Sequence, residues 1–351
     1  MKLPHPNPGK PTPLTDFDEA NLMPGNVTVA IDYSMVNYKN AMTPRFGAVP
    51  LSMSTPDGHT QEKTMNSSDP GNESGTSYIH APNLSINAGG TAFAYRDLGP
   101  RTDMPLIMLN HWGAVLDNFD PRIVDGLARR HRIIAVDYRG IGSSGGTAPV
   151  TVDEMARDTI ALIRALGFDQ VNLLGFSLGG FVAQDVALKA PSLVHKLIVT
   201  GSGPAGGQGI DRVGAVSWPL MLKGLLTLRD PKAYMFFTST TNGRKAASAF
   251  LKRLKERKTG RDKGPTPRGL LRQLEAIKAW GRQAPQDLAR LQMPVLIANG
   301  DNDIMVPTAL SRDMARRIHQ VQLVIYEDAG HGGIFQYHAD FVSRALVFLA
   351  E

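Results

Sequence analysis

Residues 173–182 read LLGFSLGGFV. An apolar, strand-like run passes straight into Gly-x-Ser-x-Gly around Ser177 and then into residues that suit a helix. A lone serine between glycines at a strand-to-helix turn has two explanations. One is chemical: a sharp turn lifts the hydroxyl out of the sheet, where it can attack a substrate. The other is packing, because small residues let a helix lie close on a sheet. The pentapeptide is short and built from common residues, so its partners elsewhere in the chain must decide.

The surroundings repeat the strand–helix rhythm. Short apolar runs stand at PLIMLN (105–110), RIIAVD (132–137), VNLLGF (171–176), KLIVTG (196–201), PVLIANG (294–300) and QLVIYED (322–328). A hairpin turning at Gly89-Gly90 precedes them. Residues 151–167 carry Val152, Met155, Ala156, Ile160, Ile163 and Leu166 on one helical stripe. Thr151 with Glu154 opens that helix as a capping box, and Gly167 closes it. Strands alternating with helices predict an α/β fold, a mainly parallel central sheet covered on both faces.

Two segments break the rhythm. Residues 1–78 are rich in Pro, Asn, Ser, Thr and Gly without a sustained period, and are expected to be a disordered N-terminal extension. A true start at Met53 or Met65 is the alternative. Residues 79–351 form the folded domain, with a core of 79–204 and 291–351. Between them, about 205–290, helical stretches bear Trp218, Met221, Leu225, Met235, Phe236, Phe237 and Trp280 with no strand pattern. This insertion holds the chain's basic character. From Arg244 to Arg282 there are 13 Lys or Arg against 3 Asp or Glu, a net +10 that exceeds the +6 of the whole chain. Lys252, Arg253, Lys255, Arg257 and Lys258 read as a solvated helix face, so no nucleic-acid partner is assigned.

Composition removes several chemistries. No cysteine is present, which excludes disulfides, thiolate nucleophiles and cysteine metal sites. No apolar run approaches the roughly 20 residues of a membrane helix. The start, MKLPHPNPGKPTP, lacks the apolar stretch of a secretory signal. The expectation is a cytoplasmic protein with no membrane partner; the sequence assigns no oligomeric state. Gly140-x-Gly142-x-x-Gly145 and Gly201-x-Gly203-x-x-Gly206 both match a dinucleotide-binding pattern. The first is followed by a helix only at about residue 151, and the second contains Pro204, which lacks a donor a phosphate would need. No cofactor and no metal are therefore assigned.

The serine does find partners. A serine hydroxyl needs a base to take its proton, and the base needs an acid to hold its tautomer. The strand at 294–300 runs into DNDIMVP, offering Asp301 and Asp303. The last strand runs into DAGHGG, offering His331; His338 stands in QYHADF, at an exposed helical start. Serine, acid and histidine thus follow in one chain order, each after a strand.

Through DYRGIGSS, GFSLGG, GDNDIMVP and AGHGG, residues 83–351 resemble the α/β-hydrolase superfamily with a helical cap. With HWGAVLDNFDP, they are similar to capped esterases, enol-lactonases and cofactor-free haloperoxidases. The resemblance implies that Ser177 is the nucleophile and His331 the base. It makes Asp303, four residues before Pro307, the acid, with Asp301 a structural neighbour. It places the oxyanion donors at the backbone N–H groups of Trp112 and Leu178, with His111 where the family usually has glycine. The implied function is hydrolysis of a small-molecule carboxylic ester or lactone through an acyl-enzyme. The alternatives are perhydrolysis or carbon–carbon hydrolysis by the same triad, and a non-catalytic ligand-binding protein of the same fold.

Overall fold

The computed structural model describes residues 77–101 and 104–351. The disorder expected over 1–78 therefore falls almost wholly outside the described residues. Its last aromatic does not. Tyr78 is 1% exposed, its amide donating to Asp125 Oδ1 at 2.6 Å and its hydroxyl to the Leu116 carbonyl at 2.6 Å. The packed chain reaches back to Tyr78, one residue inside a boundary drawn from composition, which averages a single anchoring side chain away.

The described residues form one sheet of β1 (Leu84–Ala88), β2 (Thr91–Leu98), β3 (Leu106–Leu109), β4 (Ile133–Val136), β5 (Val171–Phe176), β6 (Val194–Thr200), β7 (Val295–Gly300) and β8 (Val321–Tyr326). The order is β1-β2-β4-β3-β5-β6-β7-β8. The β2 strand runs antiparallel to β1 and β4, and every pairing from β4 across to β8 is parallel. Parallel neighbours need crossovers. These are α1 (Pro121–Ala128), α2 (Val152–Ala165) and α3 (Leu178–Lys189). The insertion supplies α4 (Val213–Leu226), α5 (Lys232–Met235), α6 (Thr241–Arg253) and α7 (Pro267–Arg282). The helices α8 (Thr308–Arg317), α9 (Gly333–Gln336) and α10 (His338–Ala350) complete the chain. None of the described helices is long and apolar enough to cross a membrane.

Strand periodicity explains why the runs are mostly apolar without alternating. Ile107 and Leu109 of β3, Ile134 and Val136 of β4, and Val295 and Ile297 of β7 enter one core with α2 and α3. Their alternates, Leu106, Met108, Ile133, Ala135, Leu296 and Ala298, enter a second core with α1 and α10. Both faces are buried, so most positions are apolar, and the polar exceptions find partners: Asn299 Nδ2 donates to Ser311 Oγ at 3.1 Å and Lys196 Nζ to the Phe348 carbonyl at 2.9 Å. Each buried Leu or Ile contributes about 1.5–3 kcal/mol. Thr151 caps α2, its side chain accepting from Glu154 N at 3.2 Å; the reciprocal Glu154 side-chain bond of the expected capping box is not formed. Thr159 and Leu162 are buried on the α2 stripe, whereas Ile160 and Leu166 are half-buried.

The insertion is fastened by charges that the sequence reading left in solvent. Arg253 is 9% and Arg257 8% exposed. Arg253 grips the wholly buried Asp120 carboxylate, at 2.9 Å from Nε and 2.6 Å from Nη2, and also donates to the Phe335 carbonyl. Arg257 lies past the end of α6 and donates to the carbonyls of Ile79 and Ala81. Asp117 accepts Arg96 at 2.6 Å and the Asp262 amide at 3.0 Å. Only Lys252, Lys255 and Lys258 of the five-residue cluster are exposed. The apolar residues of the insertion also divide: Phe236, Phe237 and Trp280 are buried, whereas Trp218 and Leu225 on α4 are exposed.

Candidate active site

Ser177 stands between the end of β5 and the first residue of α3. Its φ of 57° and ψ of −118° belong to a region that side chains other than glycine rarely occupy. Such a conformation costs on the order of 1–3 kcal/mol and persists only where the surroundings enforce it. They do so at both ends of the residue. The Ser177 amide donates to Thr200 O at 2.9 Å, and its carbonyl accepts from Gly180 N at 2.8 Å and Ser202 Oγ at 3.0 Å. The Oγ makes no capping bond to α3. A Cβ at Gly175 would strike the backbone of Gly179, and one at Gly179 would strike the Leu109 carbonyl. Those two glycines let the turn close and let α3 start against the loop that leaves β3.

The loops after β7 and β8 supply the other two groups. Asp303 turns its carboxylate inward, with Oδ1 accepting from the amides of Met305 (2.8 Å) and Val306 (2.9 Å). Its Oδ2 lies 2.8 Å from Nδ1 of His331, both side chains almost without exposure. A carboxylate oxygen accepts here, so Nδ1 carries the hydrogen, and in the neutral ring Nε2 then keeps the lone pair. The imidazole packs against Phe176, the residue before Ser177, with ring centroids 4.9 Å apart, and against Phe236 of the insertion at 5.4 Å. Asp301 takes a different place. It is exposed, and its Oδ1 accepts from Ala329 N at 3.1 Å and Asn302 Nδ2 at 2.6 Å. His338 opens α10 and is half-buried rather than exposed.

The loop after β3 brings Trp112 to the same edge. Its neighbours' amides are occupied: His111 N donates to Asn110 Oδ1, Gly113 N to Gln273 Oε1, and Ala114 N to the His111 carbonyl. Among the described residues, no acceptor is bonded to the amides of Trp112 or Leu178. Leu178 also begins α3, where the helix dipole favours negative charge.

His111 does not open the loop as a glycine would. Its ring is 7% exposed, edge-on to Phe176 and Phe236, with Nδ1 donating to the Trp112 carbonyl at 2.8 Å. The buried Nε2 has no partner among the described residues. Burial, aided by the charge of Lys232, pushes this imidazole down to about 3. Between pH 6.5 and that value the unfolded chain binds a proton that the folded chain refuses. Stability is therefore complete above the ordinary histidine range and falls with pH below it, by up to about 1.4 kcal/mol per unit from this group. His111→Gln should give a shallower acid limb than wild type when urea midpoints are followed from pH 7 to pH 4. Equal slopes would mean that the folded ring protonates freely.

The α/β-hydrolase fold family matches residues 104–336, about two thirds of the chain. The chain belongs to the α/β-hydrolase family. Its resemblance to the methyl ester esterase that acts on pimeloyl-[acyl-carrier protein] in Aliivibrio salmonicida is 28% identity, covering 70% of this chain and 91% of that one. An α/β-hydrolase fold protein from Chitinophaga pinensis superposes with a TM-score of 0.74 at 35% identity, covering 78% of this chain and 99% of that one. The enol-lactonase of Burkholderia xenovorans LB400 shares the fold at a TM-score of 0.61 and 19% identity, over 76% of this chain and all of the other. The mainly parallel α/β sheet expected from the strand–helix rhythm, and the α/β-hydrolase fold implied by the motif resemblance, are therefore those of this hydrolase.

The structure also holds groups that the sequence reading passed over. Gln273 is fully buried on α7, among Leu270, Leu274 and Ile277 of the helix's inward stripe. A polar residue on an apolar stripe was the available signal. Phe176 and Phe236, which both lie against the two histidine rings, carried none beyond ordinary core character.

Proposed function

We propose that this α/β-hydrolase is a serine hydrolase that cleaves a carboxylic ester or lactone through an acyl-enzyme. The observation that carries the reading is the buried Asp303–His331 hydrogen bond beside the strained Ser177 turn. Ser177 Oγ attacks the carbonyl carbon while His331 Nε2 takes its proton, and Asp303 stabilises the imidazolium that forms. The oxyanion is held by the amides of Trp112 and Leu178. His331 then protonates the leaving oxygen. Water, activated by the same imidazole, attacks the acyl-enzyme and restores Ser177.

The insertion at 205–290 acts as the cap of this site and sets the substrate. Its Phe236 packs against the base, and with Phe176 and His111 it makes an aromatic wall that suits an apolar acyl or ring-bearing group. The test joins a fluorophosphonate probe to a panel of nitrophenyl esters and lactones of graded chain length. The expected result is one labelled peptide, containing Ser177, and a preference for apolar acyl groups. A label on another residue, or a panel left untouched by enzyme that takes no label, would overturn the assignment.

A further inference from the structure

We propose that Gln273, on the insertion helix α7, is a positioning residue that works with His111 to aim the Trp112 amide at the developing oxyanion. The proposal rests on the reading of Trp112 as an oxyanion donor, and extends it to how the donor is held.

Trp112 sits between two pinned peptide planes. Before it, the His111 carbonyl accepts from Ala114 N at 3.1 Å. In a trans peptide the N–H points opposite its C=O, so that bond directs the Trp112 N–H away from Ala114. After it, the Trp112–Gly113 peptide is gripped at both polar ends. Its carbonyl accepts from His111 Nδ1 at 2.8 Å, and its N–H donates to Gln273 Oε1 at 2.9 Å. The Trp112 indole N–H donates to the Leu270 carbonyl at 2.8 Å, three residues earlier on the same helix. Glycine would ordinarily give this loop its freedom; here two side chains fix its pose.

Packing alone does not account for Gln273. It has no exposure, and its Nε2 lacks a partner among the described residues. A buried unsatisfied amide donor is destabilising, and leucine would complete the apolar stripe without that cost. What glutamine supplies and leucine cannot is an acceptor for Gly113 N–H. The seating of the insertion helix thereby sets the geometry of the oxyanion loop.

The experiment compares wild type with Gln273→Leu, and with Gln273→Met should the leucine variant fold poorly. Three readouts are taken: kcat and KM on a small ester, hydrogen exchange at the Gly113 amide, and the thermal midpoint. Exchange at Gly113 should rise and kcat should fall about 10- to 100-fold, part of what losing an oxyanion donor costs. KM should stay within about twofold, because ground-state binding does not use the loop's aim. Unchanged exchange at Gly113, or faster exchange with unchanged kcat, would overturn the proposal. A parallel fall in kcat and midpoint with unaltered exchange would mark Gln273 as a packing residue and overturn it equally. Failure of the serine-hydrolase reading is separate: wild type itself would neither label at Ser177 nor turn over esters, and exchange alone would then decide whether Gln273 holds the loop.

Discussion

Ser177→Ala is expected to lower kcat on ester substrates by about 10⁶-fold, and His331→Ala by about as much. Nucleophile and base act as a unit, so the double variant should be scarcely slower than either single one. The fold should survive, because what holds residue 177 is main chain: its amide on Thr200 O, and its carbonyl on Gly180 N and Ser202 Oγ. Alanine removes only the Oγ, which makes no capping bond to α3. The left-handed φ is no harder for alanine than for serine. Rates on a chromogenic ester, with the thermal midpoint as control, measure the effect. If Ser177→Ala kept even a hundredth of wild-type turnover, the hydroxyl would not be the nucleophile.

Much of the architecture was legible because it depends on local periodicity. The β3 and β4 runs, and β7 from Val295 to Ala298, are apolar at every position since odd and even residues enter different cores. The Ser177 turn announced itself through Gly175 and Gly179, positions where a side chain would meet backbone. The chain order of Ser177, Asp303 and His331 was equally visible, since each residue follows a strand of the parallel sheet. Chain order does not say which of two aspartates in DND turns inward; that depends on the amides of Met305 and Val306, which capture Asp303.

What escaped the sequence was pairing across long separations. Arg253 meets Asp120, and Arg257 meets carbonyls near Tyr78, each more than a hundred residues away. A run of basic residues looks the same whether its partners are water or a buried carboxylate. The difference matters, because stripping one partner from a buried pair costs about 3–5 kcal/mol, against about 0–1 kcal/mol at an exposed site. Gln273 escaped for the same reason, since its acceptor role exists only when the loop after β3 lies under α7. The aromatic residues of the insertion divide by tertiary placement in turn: Phe236 lies against His331, whereas Trp218 faces solvent.

Asp303→Asn is expected to reduce kcat by about 10⁴-fold, and Asp301→Asn by less than about tenfold, the modest effect usual for an exposed position. The hydrogen bonds of Asp303 dictate the first result. Two backbone amides point at the Oδ1 position, so an asparagine must place its carbonyl oxygen there. Its NH₂ group then occupies the Oδ2 position, 2.8 Å from His331 Nδ1. Two donors cannot share that contact. The imidazole escapes by moving its hydrogen to Nε2, and the lone pair needed to take the serine proton is lost. Asp301 meets Ala329 N and Asn302 Nδ2 with one oxygen, and an asparagine carbonyl can accept both bonds unchanged. Any effect at 301 must travel through the Ala329 contact to the loop bearing His331, so it should appear as modest instability rather than lost chemistry. Steady-state rates for the two variants at one pH decide the matter. If Asp301→Asn proved the slower enzyme, the acid would be the exposed aspartate, and the Asp303–His331 bond would be a structural tie.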